Sequence, residues 1–184
     1  MSTVHKEANP APLGLLGFGM TTILLNLHNS GIISLSVVII AMGFALGGLA
    51  QIIAGVMEFK NNNTFGATAF TAYGCFWWSL IIIWCNPWAE KYPSDAKSMG
   101  CYLLLWGVFT LFMFIGTLKQ SRANRMVFGT LTLLFFLLAL GDFTEVHAIH
   151  TIAGIVGIIC GASALYNSFG QVLNEVYGKT ILPL

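Results

Sequence analysis

The sequence has very little charge. Lysine, arginine, aspartate and glutamate make up 8% of its 184 residues, and the net charge is +1. A soluble domain carries about a quarter of its residues as charged side chains, because it must cover its surface in water. A surface in contact with lipid needs no such cover. The charge balance also gives no field of one sign, so nucleic acid is excluded as a partner.

The sequence also lacks the short motifs that carry common enzyme chemistry. It contains no HExxH, no GxGxxG, no Walker loop and no serine nucleophile elbow. Its four cysteines form no CxxC pair and lie in or near apolar runs, which indicates small core residues rather than a disulfide or metal framework. We therefore expect neither an enzyme nor a bound cofactor or metal.

The sequence instead contains many hydrophobic residues, arranged in long runs. Hydrophobic residues make up 57% of the chain, and the mean hydropathy is +0.80. Runs near the roughly 20 residues that cross a bilayer alternate with polar segments. This predicts an all-α polytopic membrane protein, a single six-helix domain over residues 1–184 with a tail at 1–8 and a carboxyl-terminal segment at 169–184. The predicted spans are Ala11–Leu27, Ile32–Met57, Phe65–Trp84, Gly100–Leu118, Met126–Leu140 and Ile149–Ser168.

Lysine and arginine are distributed unevenly between the loops. With the amino terminus inside, the external loops hold only Lys91 and Lys97. The segments on the cytoplasmic side then hold Lys6, Lys60, Lys119, Arg122, Arg125 and Lys179. This split follows the positive-inside rule. We therefore predict that both termini, and with them the carboxyl-terminal segment, are cytoplasmic.

No charged residue lies in the middle of a predicted span. Glu58 and Asp142 lie at span ends, from which we expect their side chains to reach the interface. A proton relay through an intramembrane carboxylate is therefore not expected. Any anion site must be weak and built from dipoles, which suits fast permeation.

Neutral polar residues in the spans are the candidate solute contacts. Phe18, Thr22 and Asn26 are spaced four apart and share one helix face. Gln51 lies between glycines on its own face, so its long amide can extend into a cavity. Buried amides need partners outside their own helix, whereas a threonine can bond back to its own helix carbonyl.

Small residues recur at helical spacing in two spans. Gly43 and Gly47 form one GxxxG pair, and Gly157 and Gly161 form another, which Gly154 extends. Glycines at this spacing allow helix backbones to approach closely in a membrane. They indicate tight helix contacts, or a smooth wall beside a small solute.

Two histidines follow the fifth predicted span. The HxxH spacing of His147 and His150 places both imidazoles on one helix face, where they could bind a metal. The alternative is an ordinary hydrated loop whose charge changes with pH. A membrane-embedded metal protein or enzyme using these histidines is therefore the second candidate function, and an assembly protein that conducts no solute is the third.

The opening segment NPAPLGL, residues 9–15, resembles the signature of the acetate uptake transporter family. The likeness continues through GFGMTTILLNLHNSG, GGLAQIIAGVMEFKNNNTFGATAFTAYG, LWGVFTLFMFIGTLK and CGASALY, and closes with LNEVYGKTILP, so it covers nearly the whole chain. The resemblance implies a six-helix protomer, a homo-hexamer and one solute pathway in each protomer. It also implies a hydrophobic constriction formed by Phe18, Tyr73 and Leu131.

The resemblance implies a function as well. We expect transport of acetate and related small carboxylates, with succinate as a candidate, through a bacterial inner membrane. The pathway would be channel-like or linked to protons, with either the anion or acetic acid as the permeating species. The expected substrate contacts are Asn9, Thr22, Asn26, Gln51 and Thr71.

Overall fold

The structure has six helices long and apolar enough to cross a membrane, as the sequence predicts. The computed structural model describes residues 8–184, and no strand occurs within that range. The all-α fold class is thus confirmed. In chain order the helices are α1 (Ala11–Asn29), α2 (Val37–Lys60), α3 (Thr64–Cys85), α4 (Ala96–Thr117), α5 (Arg122–Thr144) and α6 (His147–Tyr177).

The helices differ from the predicted spans mainly at their ends. α2 begins at Val37 rather than at Ile32, since the chain first turns through Gly31, whose φ is 83°. α5 has 23 residues and is not the short span that its apolar run suggested. α6 continues to Tyr177, so much of the predicted carboxyl-terminal segment is helical. The predicted amino-terminal tail lies outside the described residues except for Ala8.

The six helices form a closed ring. Each helix packs against its neighbours in the chain, and α6 returns to pack against α1. The backbones of α3 and α4 make few close approaches, because large aromatic side chains fill the space between them. Those side chains are Tyr73, Phe76, Tyr102, Trp106 and Phe109. The ring encloses the interior space in which a solute pathway can lie.

Glycines set the close contact between α1 and α6. Gly161 lies against the backbone oxygen of Gly19, where an added Cβ would come within 2.7 Å. One turn earlier, Gly157 lies directly against the side chain of Asn26. The glycine stripe of α6 therefore packs against α1, in the way that small residues allow helices to associate in lipid.

α2 contains a π-helical stretch, Gly43–Ala50. Backbone hydrogen bonds here join residues five apart, a geometry that occurs often at functional sites. Two carbonyl oxygens of the stretch accept side-chain hydrogen bonds. Trp78 Nε1 donates to the Phe44 oxygen at 3.1 Å, and Gln51 Nε2 donates to the Gly47 oxygen at 2.7 Å. The wide turns thus hold Gln51 against its own helix.

Polar side chains begin α3 and α4. Asn63 accepts a hydrogen bond from the Gly66 N–H at 3.1 Å, and Asp95 accepts one from the Ser98 N–H at 2.8 Å. Two hydrogen bonds from Ser98 lower the pKa of Asp95, chiefly the one from its hydroxyl and secondly the one from its N–H. Each cap satisfies a backbone donor that the first helical turn leaves open. Asn63 has a second partner, which places it in the candidate site described next.

Candidate functional site

A cavity of about 330 Å³ opens at the end of the ring where α1 begins and α6 ends. We call it the vestibule. Its polar wall comes from helix ends and the adjoining loops, through Asn9, Glu58, Asn63, Gln120, Asn124 and Gln171. Its deeper wall comes from helix interiors, through Leu15, Phe18, Gln51, Ala69, Tyr73, Val127 and Leu131. The vestibule therefore changes from polar at its mouth to largely apolar at its base.

Five amide side chains form a directed hydrogen-bond chain around the mouth of the vestibule. Asn9 donates to Gln171 at 2.8 Å, and Gln171 donates to Asn167 at 3.0 Å. Asn167 donates to Asn124 at 2.7 Å, and Asn124 donates to Gln120 at 2.7 Å. Each link uses one N–H of an amide group that carries two. The amides are thus held in place while N–H groups remain to meet a carboxylate.

This hydrogen-bond chain joins Asn9, which the sequence predicted as a substrate contact, to Gln171 and Asn167. Asn9 lies at the vestibule mouth, where its Oδ1 also accepts from the Ala11 N–H at 3.1 Å and so begins α1. Gln171 lines the vestibule, and Asn167 lies buried behind it. Sequence reasoning could not join these amides, because they come from opposite ends of the chain.

Glu58 does not reach the interface as the sequence suggested. Its side chain is only 2% exposed and lines the vestibule. Asn63 Nδ2 donates to Glu58 Oε2 at 2.9 Å, while Oε1 is buried with no hydrogen-bond partner. The Glu58 carboxylate can turn inward because residue 66 is a glycine. A Cβ at position 66 would lie within 3.0 Å of this carboxylate. A position at the end of a span does not reveal which way the side chain turns.

Beyond the vestibule lies a second, smaller cavity of about 30 Å³. It has room for about one or two water molecules. Phe18, Tyr73 and Leu131 line both cavities, and they are the three residues that do so. Each is at most 7% exposed, and the rings of Phe18 and Tyr73 lie 6.1 Å apart. The three side chains therefore form the partition between the two spaces.

The Tyr73 hydroxyl points away from this partition, towards α4. Its oxygen lies 2.9 Å from Thr110 Oγ1, and Thr110 itself donates to the Trp106 carbonyl oxygen at 2.7 Å. Since the single Thr110 proton is used in that bond, Tyr73 must donate to Thr110. The partition therefore presents the Tyr73 ring and no phenol proton, which makes it apolar.

The second cavity brings together two of the predicted contact residues. Thr22 and Asn26 line it with Phe18, so the predicted shared face of α1 is present. Asn26 is tied down, because its Nδ2 donates to the Thr22 oxygen at 2.8 Å and its Oδ1 accepts from Asn29 at 3.1 Å. Trp77 also lines this cavity, and its buried indole N–H has no hydrogen-bond partner. No spacing or motif in the sequence indicated this donor.

Of the other two predicted contacts, Gln51 lies at a cavity and Thr71 does not. Gln51 lines the vestibule, and its Oε1 is buried with no hydrogen-bond partner. Thr71 lines neither cavity, because its side chain packs against Gly55 between α2 and α3. The structure therefore brings Gln51 to the candidate pathway and leaves Thr71 outside it.

The alternative function, a metal site at His147 and His150, would lie at the opposite end of the ring, where α6 begins. His150 Nε2 lies 3.3 Å from Asp142 Oδ1, and Gly141 packs against the same imidazole. Among residues 8–184, no group of three or more His, Cys, Asp or Glu side chains is placed to hold a metal ion. His150 is instead paired with the one carboxylate beside it.

Residues 1–182 match the sequence profile of the GPR1/FUN34/yaaH family. The chain belongs to this family. It is 57% identical over 180 residues to the succinate-acetate/proton symporter SatP of Escherichia coli strain K12, with 97% of this chain and 96% of the relative covered. It is 32% identical over 198 residues to acetate permease A of Emericella nidulans, with 98% of this chain and 66% of the relative covered.

A solved structure agrees with this membership of the GPR1/FUN34/yaaH family. The structure of the bacterial acetate channel SatP matches with a TM-score of 0.95 and 57% identity, covering 97% of this chain and 99% of that one. The resemblance seen in NPAPLGL and the later motifs is thus confirmed. The expectation of a membrane transporter rather than an enzyme is confirmed by the same relatives.

Proposed function

We propose that this protein carries acetate and related small carboxylates, including succinate, across the bacterial inner membrane. The observation that carries the proposal is the partition by Phe18, Tyr73 and Leu131 between an amide-lined vestibule and a second, small cavity. Relatives 57% identical to this chain are named as an acetate channel and as a succinate-acetate/proton symporter. The polar vestibule and the apolar partition each suit a small carboxylate.

The vestibule provides the polar half of recognition. A carboxylate has two oxygens that accept hydrogen bonds, and the amides of Asn9, Asn124 and Gln171 carry N–H donors at the mouth. These groups are neutral, so they bind an anion less tightly than a pair of arginines would. A weakly held anion can leave as readily as it arrives, which permits fast permeation.

The partition provides the apolar half. A hydrated ion cannot exchange its water for hydrogen bonds among the three side chains, so its passage carries a large desolvation cost. The methyl group of acetate tolerates an apolar wall, and the neutral acid carries no charge to desolvate. Phe18, Tyr73 and Leu131 therefore select by size and by the cost of removing water.

Gln51, Thr22 and Asn26 are proposed as further contacts on the two sides of the partition. Gln51 lies in the vestibule wall, and Thr22 and Asn26 lie in the second cavity. The proposed assembly is a homo-hexamer with one such pathway in each protomer, as the family resemblance implies. Both termini are proposed to be cytoplasmic, so the vestibule faces the cytoplasm.

The proposed function is tested by uptake of labelled acetate into proteoliposomes. We expect Phe18→Ala and Tyr73→Ala to change the rate and to admit larger solutes, because each removes a ring from the partition. Phe112→Ala is the matched control, since Phe112 is 69% exposed on the outer face of α4. Uptake is measured with and without an imposed proton gradient.

The outcomes separate the candidate mechanisms. Accumulation of acetate only with the gradient, above the level set by free acid diffusion, would indicate proton coupling. Rapid equilibration without accumulation, altered by the two partition variants and unchanged by the control, would indicate a channel. Absence of any protein-dependent flux would rule out transport of acetate.

A further inference from the structure

We propose that Glu58 and the carboxylate of the substrate share a single proton in the vestibule. This inference rests on the proposed function and deepens it, because it identifies the group that links acetate binding to a proton. Glu58 is the one acidic side chain that lines the vestibule among the described residues. Its free oxygen, Oε1, is buried without a hydrogen-bond partner, against Gly66 in the wall of the vestibule.

Among the described residues, no positively charged side chain lines the vestibule beside Glu58. The lining of the vestibule from α1, α3, α5 and α6 contains no Lys, Arg or His among the described residues. Its other titratable group is the Tyr73 phenol, whose proton is donated to Thr110. Lys60 lies two residues from Glu58 but is exposed. The direct support of the carboxylate is one N–H, donated by Asn63.

Two ionised carboxylates cannot lie side by side in such a site. Like charges at close range disfavour each other's ionisation, and paired carboxylates then hold one proton between them. When acetate enters as the anion, it therefore takes up one proton from water together with Glu58. The O–H of one carboxyl donates to an oxygen of the other, and the vestibule amides donate to the remaining oxygens.

The shared proton gives the substrate a way through the apolar partition. The proton moves from Glu58 Oε1 to an acetate oxygen, so the acid leaves as a neutral molecule and Glu58 is left ionised. Glu58 is then ionised, as it was before acetate bound, so each cycle takes up one proton from water for each acetate. The next acetate anion enters together with the next proton.

Infrared difference spectroscopy of the reconstituted protein tests this inference by binding rather than by flux. Unlabelled and ¹³C-carboxyl acetate are bound in turn near neutral pH, so that ligand bands shift and protein bands do not. We expect wild type to gain the carbonyl band of one protonated carboxyl when acetate binds. Glu58→Gln should still bind acetate, since the amide keeps the shape and the Asn63 contact, but without that band.

The affinity for acetate gives a second measurement. In wild type the apparent Kd should rise about tenfold for each pH unit above neutrality, because one proton is bound with each anion. In Glu58→Gln the Kd should be independent of pH. Glu58→Asp, which keeps a carboxyl group, should restore the pH dependence. Asp142→Asn is the matched control, since this carboxylate lies at the other end of the ring beside His150.

Clear results would overturn the inference. These are a protonated-carboxyl band that persists in Glu58→Gln, a wild type that binds acetate without the band, or a Kd that depends on pH equally in both. Failure of the proposed function has a different signature, because it would abolish acetate flux in wild-type proteoliposomes. Binding with proton uptake at Glu58 but no flux would identify a carboxylate receptor site instead of a transport site.

Discussion

At the scale of single residues, the properties of the partition depend on where one hydroxyl points. Tyr73 contributes a ring to both cavities, yet its phenol proton is donated to Thr110 on α4. Thr110 is fully buried and passes the hydrogen bond on to the Trp106 carbonyl. Thr110 therefore acts on the pathway only through Tyr73, by keeping its ring in place and its hydroxyl out of the partition.

Thr110→Val should make the partition less selective. The substitution removes the acceptor of the Tyr73 proton, and an unpaired buried hydroxyl costs about 1–3 kcal/mol. The phenol is then expected to turn towards a cavity and bring a polar group into the partition, so that the ratio of acetate uptake to uptake of larger, more hydrated solutes falls several-fold. Uptake of acetate and succinate by the same proteoliposomes gives that ratio.

The matching variants make this prediction specific. Thr110→Ser should retain the wild-type ratio, and Tyr73→Phe should stay within about twofold of it because the hydroxyl does not face the pathway. Adding Thr110→Val to Tyr73→Phe should then have no further effect. Thr117→Val is the control, since Thr117 is equally buried on α4 and bonds only its own helix. An equal effect of Thr110→Val in both backgrounds would show that Thr110 does not act through Tyr73.

At the scale of helices, the ring depends on close contact between α1 and α6. α1 supplies Phe18, Thr22 and Asn26 to the walls of the two cavities, so its position sets the width of both. Gly161 allows α6 to reach the backbone of α1 at Gly19. Inside a membrane, an apolar helix face is attracted to lipid as strongly as to another apolar helix. The contact between α1 and α6 therefore relies on close van der Waals packing.

Gly161→Val should destabilise the protomer by about 1–3 kcal/mol, because the added carbons meet backbone that cannot give way. The midpoint of thermal unfolding in detergent would fall accordingly. Ala162→Val adds bulk at the next residue, on an exposed face of the same helix, and should leave the midpoint nearly unchanged. Equal midpoints for the two variants would mean that α1 and α6 are not held together at this glycine.

At the scale of the whole molecule, the vestibule lies at the end of the ring where α1 begins and α6 ends. The basic residues at that end are Lys60, Lys119, Arg122, Arg125 and Lys179, whereas Lys91 and Lys97 lie at the other end, in the loop before α4 and in its first turn. A membrane protein retains its short basic loops in the cytoplasm. The charge pattern therefore supports the proposal that the amide network and Glu58 lie on the cytoplasmic side.

Reporter fusions test this orientation. A reporter that is active only outside the inner membrane should be inactive when fused after Leu184 and active when inserted at Glu90, in the loop between α3 and α4. A reporter that folds only in the cytoplasm should give the reverse pattern. The opposite result for both would place the vestibule, and the proton exchange proposed for Glu58, on the external side.

The membrane class, the number of helices and the family could all be predicted from the sequence. These properties follow from local quantities, namely apolar runs long enough to cross lipid and loops with unequal basic charge, and from motifs spread along the chain. The shared face of Phe18, Thr22 and Asn26 also followed from helical spacing, because four residues make about one turn. Such features need no knowledge of what lies across the ring.

The side chains that face the two cavities are known from the helix packing and not from the sequence. Glu58 turns inward because Gly66 on another helix leaves room for it, and Thr71 is excluded because it packs against Gly55. The amide chain from Asn9 to Gln120 joins residues from opposite ends of the sequence. The direction of a side chain at a helix end, and its partner on a distant helix, depend on how the helices pack, which no spacing within one helix specifies.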